Sequence, residues 1–158
     1  MFIKTIKYLQ RSNVILFILQ GIVVIILISA ISSLIIHVGN NENPAVESIK
    51  NKGIYFYFFS TVILAPILET LIFQFLPFSI ANSKFKHKKR LYVYLILAST
   101  FFGLAHLYNL SYLFFGLITG FVLAFFFYVG TLRKENAVLL IFIIHSLYNL
   151  LLFALSQI

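Results

Sequence analysis

Five long apolar segments separated by short polar connections limit this chain to very few folds. They run over Val14–His37, Gly53–Ala81, Leu91–Asn109, Leu110–Gly130 and Ala137–Ser156. At about 1.5 Å per residue even the shortest would reach about 28 Å as a helix, and the hydrocarbon core of a bilayer is about 30 Å thick. Because only helices and closed barrels satisfy their backbone in lipid, the sequence predicts an all-α, polytopic membrane helix bundle of about five transmembrane helices.

The low content of charged residues excludes an ordinary soluble domain. Charged residues make up 10% of the 158 residues and hydrophobic residues 61%, whereas a soluble domain carries about 25% charged residues. No polar connection is long enough to hold a core of its own, so we expect a single membrane domain over residues 1–158. The chain has no Cys, which excludes disulfides, thiolate nucleophiles and Cys-ligated zinc.

The first two segments each have a complication. Val14–His37 contains a weak small-x-small pattern at Ala30-Ile31-Ser32 that would suit a cleaved signal peptide, but the apolar run continues beyond it. We therefore expect an additional, retained N-terminal transmembrane helix. Gly53–Ala81 would reach about 43 Å as a straight helix, so it should tilt, kink or protrude, with Pro66 and Pro77 as the expected places.

The distribution of basic residues predicts an orientation. The net charge is +8, and every Lys and Arg except Lys50 and Lys52 lies before Val14, in Ser83–Arg90 or in Thr131–Asn136. Five spans would place these three basic regions on one side of the membrane. Since positive charge marks the cytoplasmic side, we expect the N-terminus in the cytoplasm and the C-terminus outside. This role explains the charge better than nucleic acid binding, so we expect no nucleic acid partner.

Gly116 and Gly120 form a G-x-x-x-G pattern in the fourth segment. Small residues at this spacing let helix backbones approach closely. We expect close packing inside the monomer rather than a dimer face, and the sequence leaves the oligomeric state open.

Among the polar side chains within the apolar segments, four carry the argument: Glu69, His106, His145 and Asn149. A charged group at mid-membrane costs about 2.5–3.5 kcal/mol on insertion scales, so Glu69 needs a partner or a proton. Counted along their helices, the four groups should reach similar depths near the midplane. A lone His or Asn often only bonds a neighbouring helix, but a carboxylate, two imidazoles and an amide together suit water activation. They would also suit a metal held by two His and one carboxylate. A proton-coupled transporter could use the same groups, although five spans are few for a transporter.

Three short motifs carry these groups. A-P-I-L-E-T-L-I-F-Q covers Ala65–Gln74, F-G-L-A-H covers Phe102–His106, and H-S-L-Y-N covers His145–Asn149. In this order the chain resembles the CPBP family (CAAX protease and bacteriocin-processing, also called Abi) of intramembrane glutamic proteases. These are related to the Ras-converting CAAX prenyl protease. The resemblance covers residues 53–156, which we take as the CPBP-like catalytic core.

The resemblance implies a set of roles. Glu69, assisted by His106, would activate a water that attacks a peptide carbonyl, and His145 and Asn149 would stabilise the oxyanion. Phe73 belongs to the first motif and Phe102 opens the second; both would support the site. The implied chemistry needs no cofactor, and the two-His-one-carboxylate set keeps a metal such as zinc as an alternative.

Two positions depart from the family pattern E-E-x-x-x-R. Thr70 stands where the second Glu is usual, and Gln74 stands where the Arg is usual. A neutral pair can brace a helix by hydrogen bonding at a lower desolvation cost than an ion pair. The replacement also fits an inactive branch of the family.

Two functions remain open from the sequence. The first is an intramembrane endopeptidase that cleaves membrane-associated peptides or proteins. The alternative is a non-catalytic protein of the same family, acting in bacteriocin self-immunity or as a scaffold. In both cases membrane lipid is a partner. The apolar segments predict a multi-pass membrane protein, and the Lys-, Ile- and Phe-rich composition without Trp or Cys favours a bacterial source, and hence the cell (inner) membrane.

Overall fold

The computed structural model describes residues 2–36 and 44–157, and these residues form helices and no strands. Within these residues two short helices accompany five long ones. In chain order the helices are α1 Phe2–Arg11, α2 Val14–Ile36, α3 Pro44–Lys50, α4 Ile54–Lys84, α5 His87–Ala105, α6 Leu110–Thr131 and α7 Ala137–Leu155. The predicted all-α bundle is confirmed.

Within the described residues, four helices are long and apolar enough to cross a membrane: α2, α4, α6 and α7. The protein is therefore a multi-pass membrane protein. The remaining predicted span, Leu91–Asn109, falls largely in α5, whose first turn, His87–Arg90, is basic. The apolar part of α5 from Leu91 to Ala105 reaches only about 22 Å. The orientation of the termini stays a prediction.

Two polar regions contain helices that the sequence analysis did not predict. Phe2–Arg11 form α1, and the predicted loop Gly39–Lys52 contains α3. The start of that loop and His37 lie outside the described residues. Helix α1 places Phe2, Ile6 and Leu9 at helical spacing, an apolar pattern that the sequence analysis overlooked. Helix α3 has only seven residues, too few to show such a pattern.

Helix α4 absorbs its two prolines with π-helical turns. The π segments are Phe59–Leu64 and Thr70–Phe75, each ending shortly before a proline, Pro66 or Pro77. A proline ring clashes with the carbonyl four residues back and offers no N–H to it. The wider π turn relieves that clash and keeps the helix continuous. The expected local distortions at Pro66 and Pro77 are thus π segments, and Glu69 lies between them.

Helix α2 packs against α6 and α7. Phe17 is fully buried, with its ring 5.2 Å from that of Phe126. A Cβ placed on Gly21 would meet Ile144 at 2.7 Å, so the two helices are in tight contact. Further along α2, the hydroxyls of Ser29 and Tyr148 share a hydrogen bond of 2.5 Å.

Helices α5 and α6 pack tightly against each other at their glycines. A Cβ on Gly116 would lie 3.0 Å from Cα of Gly103 and from Cβ of His106. A Cβ on Gly120 would lie 2.6 Å from Cβ of Phe102. The hydroxyl of Ser99 also donates a 2.6 Å bond to the carbonyl of Leu117. The predicted packing role of Gly116 and Gly120 inside the monomer is confirmed.

Candidate active site

A cavity of about 290 Å³ lies between α4, α5, α6 and α7. All four polar residues singled out from the sequence line it: Glu69, His106, His145 and Asn149. Most of the remaining wall is aromatic, formed by Tyr57, Phe102, Tyr112, Phe115, Tyr148 and Phe153. The fold therefore collects groups from distant parts of the chain in one largely apolar space, where electrostatic interactions are stronger than in water.

Glu69 and His145 approach each other directly. Oε2 of Glu69 lies 3.5 Å from Nε2 of His145. The side chain of His145 is 7% exposed and that of Glu69 is 22% exposed, so the carboxylate has one side open to the cavity. This separation is longer than that of a tight charge-assisted hydrogen bond. The imidazole is therefore in contact with the carboxylate but does not form a short hydrogen bond with it.

His106 lies at the end of a helix rather than inside one. Helix α5 ends at Ala105, and His106 is its C-terminal cap, with φ −105° and ψ 20°. The prediction that the third span continues to Asn109, with His106 within it, is therefore wrong at this end. The apolar pattern around His106 gives no stop signal, but Asn109 caps α6 by accepting a 2.9 Å bond from the N–H of Tyr112, so the chain must turn before it.

A hydrogen bond fixes the state of the His106 ring. Nδ1 lies 2.7 Å from the carbonyl oxygen of Phe102. A carbonyl only accepts, so Nδ1 carries the proton and the neutral ring keeps Nε2 as an acceptor. Within the described part of the chain, His106 makes no hydrogen bond or ion pair with Glu69.

Phe102 separates and supports the two imidazoles. Its ring stacks on His106 with centroids 4.4 Å apart, and the centroid of His145 is 6.0 Å away. Phe73 meets the same ring edge-on at 5.7 Å. The two phenylalanines predicted to support the site thus form one aromatic contact, and Phe102 is 2% exposed.

Asn149 supplies a hydrogen bond to a backbone carbonyl of α4 that the helix itself leaves without a donor. Its Nδ2 donates a 2.9 Å bond to the carbonyl of Thr61. The N–H of Ala65 donates to Ser60 rather than Thr61, and Pro66 has no N–H. The carbonyl of Thr61 therefore lacks the donors that an α turn or a π turn would supply, and the amide of Asn149 replaces them. One N–H of that amide remains for another acceptor.

Thr70 and Gln74 do not line the cavity. Both side chains are 1% exposed, and Oε1 of Gln74 accepts a 3.4 Å bond from the hydroxyl of Tyr94 on α5. The Oγ1 of Thr70 and the Nε2 of Gln74 are buried without a hydrogen-bond partner in the described residues. The two departures from the family pattern are thus buried between helices, and neither side chain forms part of the cavity wall.

Sequence reasoning missed the five hydroxyl residues of the cavity wall: Tyr57, Thr61, Tyr112, Thr119 and Tyr148. Thr119 is 3% exposed, and its Oγ1 has no hydrogen-bond partner among the residues that the structure describes. A signal for Thr61 was present, since its carbonyl stands five residues before Pro66. Tyr148 and Thr119 occur in apolar segments where a hydroxyl residue attracts no notice.

No group of three or more His, Cys, Asp or Glu residues within the described ranges is arranged to hold a metal ion. His145 approaches Glu69, whereas His106 turns one ring nitrogen to its own helix. A metal would need the second imidazole to join the first pair.

One comparison with known proteins decides the family. The family model for type II CAAX prenyl endopeptidase Rce1-like proteins matches residues 50–151. The chain belongs to this Rce1-like family. No curated protein and no solved structure matches the chain. The matched range includes Glu69, His106, His145 and Asn149, so this Rce1-like chain carries its candidate site inside the family region.

Proposed function

We propose that this protein is an intramembrane endopeptidase in which Glu69 activates a water to hydrolyse a peptide bond. The observation that carries the proposal is the 3.5 Å approach of Glu69 to His145 at the wall of a cavity that His106 and Asn149 also line. Membership of a CAAX endopeptidase family supports the reaction class. The aromatic wall supports it too, because a site poor in water favours charge stabilisation by fixed groups.

A water placed between Glu69 and His106 would be held by two acceptors. The carboxylate takes one hydrogen, and Nε2 of the neutral His106 ring takes the other. The bond from Nδ1 to the carbonyl of Phe102 keeps the ring in this tautomer. Glu69 then removes the proton as the water oxygen attacks the carbonyl carbon, and it passes this proton to the leaving amine as the C–N bond breaks.

His145 orients the carboxylate of Glu69, and Asn149 stabilises the oxyanion. In a neutral His145 with its proton on Nε2, that N–H faces the carboxylate and holds Glu69 towards the cavity. The free N–H of Asn149 is the donor available to the oxyanion, since the other N–H binds Thr61. Removing one such donor typically costs about 100-fold to 1,000-fold in rate. We propose that the reaction needs no metal; zinc bound at one ion per chain, with activity lost to a chelator, would overturn that part.

The proposed substrates are membrane-associated peptides or proteins, because the cavity lies between membrane-spanning helices. We place the protein in a bacterial inner membrane, with its N-terminus in the cytoplasm as the charge distribution predicts. Membrane lipid is the surrounding partner, and no nucleic acid takes part. The proposed catalytic core is 53–156, and α2 is the added N-terminal helix that packs on it.

The test is comparative peptidomics of membranes that contain the wild-type chain or a variant. Glu69→Gln keeps the shape of the side chain and removes the base, so peptides cut by the enzyme should disappear. Glu47→Gln is the matched control, because Glu47 is exposed on α3 and does not line the cavity. Cleavage should persist in that variant.

The opposite result has a clear meaning. If Glu69→Gln folds normally and the peptide profile of its membranes equals that of the wild type, the protein is not a glutamate-type protease. Bacteriocin immunity or another binding phenotype that survives Glu69→Gln would then indicate the non-catalytic alternative.

A further inference from the structure

A second polar region lies at the other end of α7, where α1 meets the connection between α6 and α7. Two adjoining cavities of about 340 and 470 Å³ share Lys7, Arg11 and Ser12 in their walls. Lys134 and the ion pair of Arg133 and Glu135 complete the larger one. We call this region the basic cleft.

Arg133 holds the walls of the cleft together, and its guanidinium already has acceptors within the protein. Its side chain is 3% exposed, and it donates to the carbonyls of Leu9 and Ser12. It also forms a bidentate pair with Glu135 at 3.1 and 3.0 Å, and its guanidinium lies 4.7 Å from the ring centre of Phe17. The negative groups of the cleft, the last carbonyls of α1 and one carboxylate, are thereby satisfied within the protein.

Three cations of the cleft have no such partner. Lys7, Arg11 and Lys134 are exposed, and none of them makes an ion pair within the described residues. Gln10 donates a 2.9 Å bond to the carbonyl of Leu132, which joins α1 to the connection and holds these cations around one space. Three like charges held together without a counterion favour an anion between them.

The apolar surface next to the cleft indicates which kind of anion binds there. Leu16 lines the smaller cavity and begins an exposed apolar face of α2. The face continues through side chains that are half exposed: Leu19 52%, Val23 51% and Leu27 55%. A free phosphate would use only the cations, whereas a phospholipid would use the cations and this apolar face together.

We propose that the basic cleft binds the phosphate headgroup of an anionic phospholipid, such as phosphatidylglycerol, with its acyl chains along the Leu16–Leu27 face of α2. The site is independent of the catalytic cavity. It explains why α1 is fixed to the bundle by Arg133 and Gln10 instead of moving freely on the membrane surface. Basic pockets beside transmembrane helices recognise such headgroups in general.

The test uses the full-length protein in a neutral detergent. Because the chain has no Trp, thermal unfolding is followed by circular dichroism while dioctanoyl-phosphatidylglycerol is added. Dioctanoyl-phosphatidylcholine and inorganic phosphate are added in separate titrations. We expect phosphatidylglycerol to raise the unfolding temperature and the other two compounds to leave it unchanged at the same concentrations.

Two matched triple variants locate the site. Lys7→Gln/Arg11→Gln/Lys134→Gln removes the three free cations, and affinity for phosphatidylglycerol should fall about 100-fold, from about fivefold per cation. Lys84→Gln/Lys86→Gln/Lys89→Gln removes three cations from the basic region where α4 ends and α5 begins, and affinity should stay within about threefold. If the first variant does not fold, Lys134→Gln alone, in an exposed connection, should weaken affinity about fivefold.

Several results would overturn the proposal. Equal loss of affinity in both triple variants would show diffuse surface charge. Equal stabilisation by phosphatidylcholine would show that the cleft does not recognise the negative charge of the headgroup. Stabilisation by inorganic phosphate at the same concentration would show a phosphate site, and unchanged affinity in Lys134→Gln would remove the cleft from the binding surface.

Discussion

Nε2 of His145 on α7 lies 3.5 Å from Oε2 of Glu69 on α4. The two residues are far apart in the sequence and belong to different motifs. Both residues line the cavity, and His106, which also lines it, bonds its own helix through Nδ1 instead. The two imidazoles of this Rce1-like protein are therefore not equivalent, and they predict different behaviour on substitution.

Glu69 and His145 should be energetically coupled. We expect the effects of Glu69→Gln and His145→Ala on the free energy of unfolding to deviate from additivity by about 0.5–3 kcal/mol, because the groups are in contact. The pair Glu69→Gln and Arg133→Lys should add within about 0.5 kcal/mol, because Arg133 lies at the basic cleft. Circular dichroism of thermal unfolding measures both cycles. An additive Glu69–His145 cycle would contradict the contact.

Asn149 should matter for stability through Thr61. Asn149→Ala leaves the Thr61 carbonyl without a donor and should cost about 1–3 kcal/mol. Asn149→Asp should cost more, because it places a carboxylate oxygen against a carbonyl oxygen. Pro66→Ala supplies an N–H in that turn, so the penalty of Asn149→Ala should shrink in a Pro66→Ala background. A penalty of the same size in both backgrounds would show that the orphaned carbonyl is not the cause.

Gly120 should tolerate no larger residue. The added methyl of Gly120→Ala meets Cβ of Phe102 at 2.6 Å and Cα of Ser99 at 3.3 Å, and neither atom can move by rotating a side chain. Overpacking of this kind costs about 1–3 kcal/mol. It also displaces Phe102, on which His106 stacks, so peptide cleavage should fall as well. Ile118→Val, at a 45% exposed position of the same helix, should change neither the unfolding temperature nor cleavage.

The neutral pair Thr70 and Gln74 offers a direct comparison with the family pattern. Gln74→Arg alone buries an unpaired cation, and such a change costs about 3–5 kcal/mol. Adding Thr70→Glu should recover most of that loss, since it restores the usual carboxylate four residues away. Unfolding temperatures of the two single variants and the double variant test this. A double variant no more stable than Gln74→Arg would show that the helices of this chain do not accommodate the pair.

The pair of Arg133 and Glu135 predicts a weak pH dependence outside the membrane. Hydrogen bonds from Arg133 hold the pKa of Glu135 below its usual value of 4.5. A carboxyl with a lowered pKa in the folded state stabilises the protein above 4.5 and loses that contribution as the pH falls through the folded-state pKa. The effect should be below about 1 kcal/mol, since Glu135 is exposed. Glu135→Gln should therefore lower the unfolding temperature slightly at neutral pH and hardly at all in acid.

A control separates this effect from general acid sensitivity. In an Arg133→Gln background the pKa of Glu135 loses its main cause of lowering, so Glu135→Gln should have the same small effect at every pH. A pH-dependent difference that persists without Arg133 would assign the titration to another group.

The long apolar segments were readable from the sequence because lipid exposure demands continuous apolar runs. Helices α2, α4, α6 and α7 accordingly begin and end within about three residues of the predicted segments. The end of α5 was not readable. Its apolar pattern continues through His106, and the helix stops where Asn109 begins α6. The sequence also indicated the distortions at Pro66 and Pro77 but not their form, because a kink and a π turn can each relieve the clash between a proline ring and the preceding helical turn.

The sequence alone determined that the chain is a helical membrane protein and which polar residues it carries into the bilayer, since each unfavourable polar group stands out against an apolar background. The tertiary structure decided which groups meet: His145 with Glu69, Asn149 with the backbone at Thr61, and Gln74 with Tyr94 away from the cavity. The reason is that each of these contacts depends on the rotation of one helix against another. The glycines between α5 and α6 and the π turns of α4 set those rotations, and no local pattern in the sequence specifies the resulting partners.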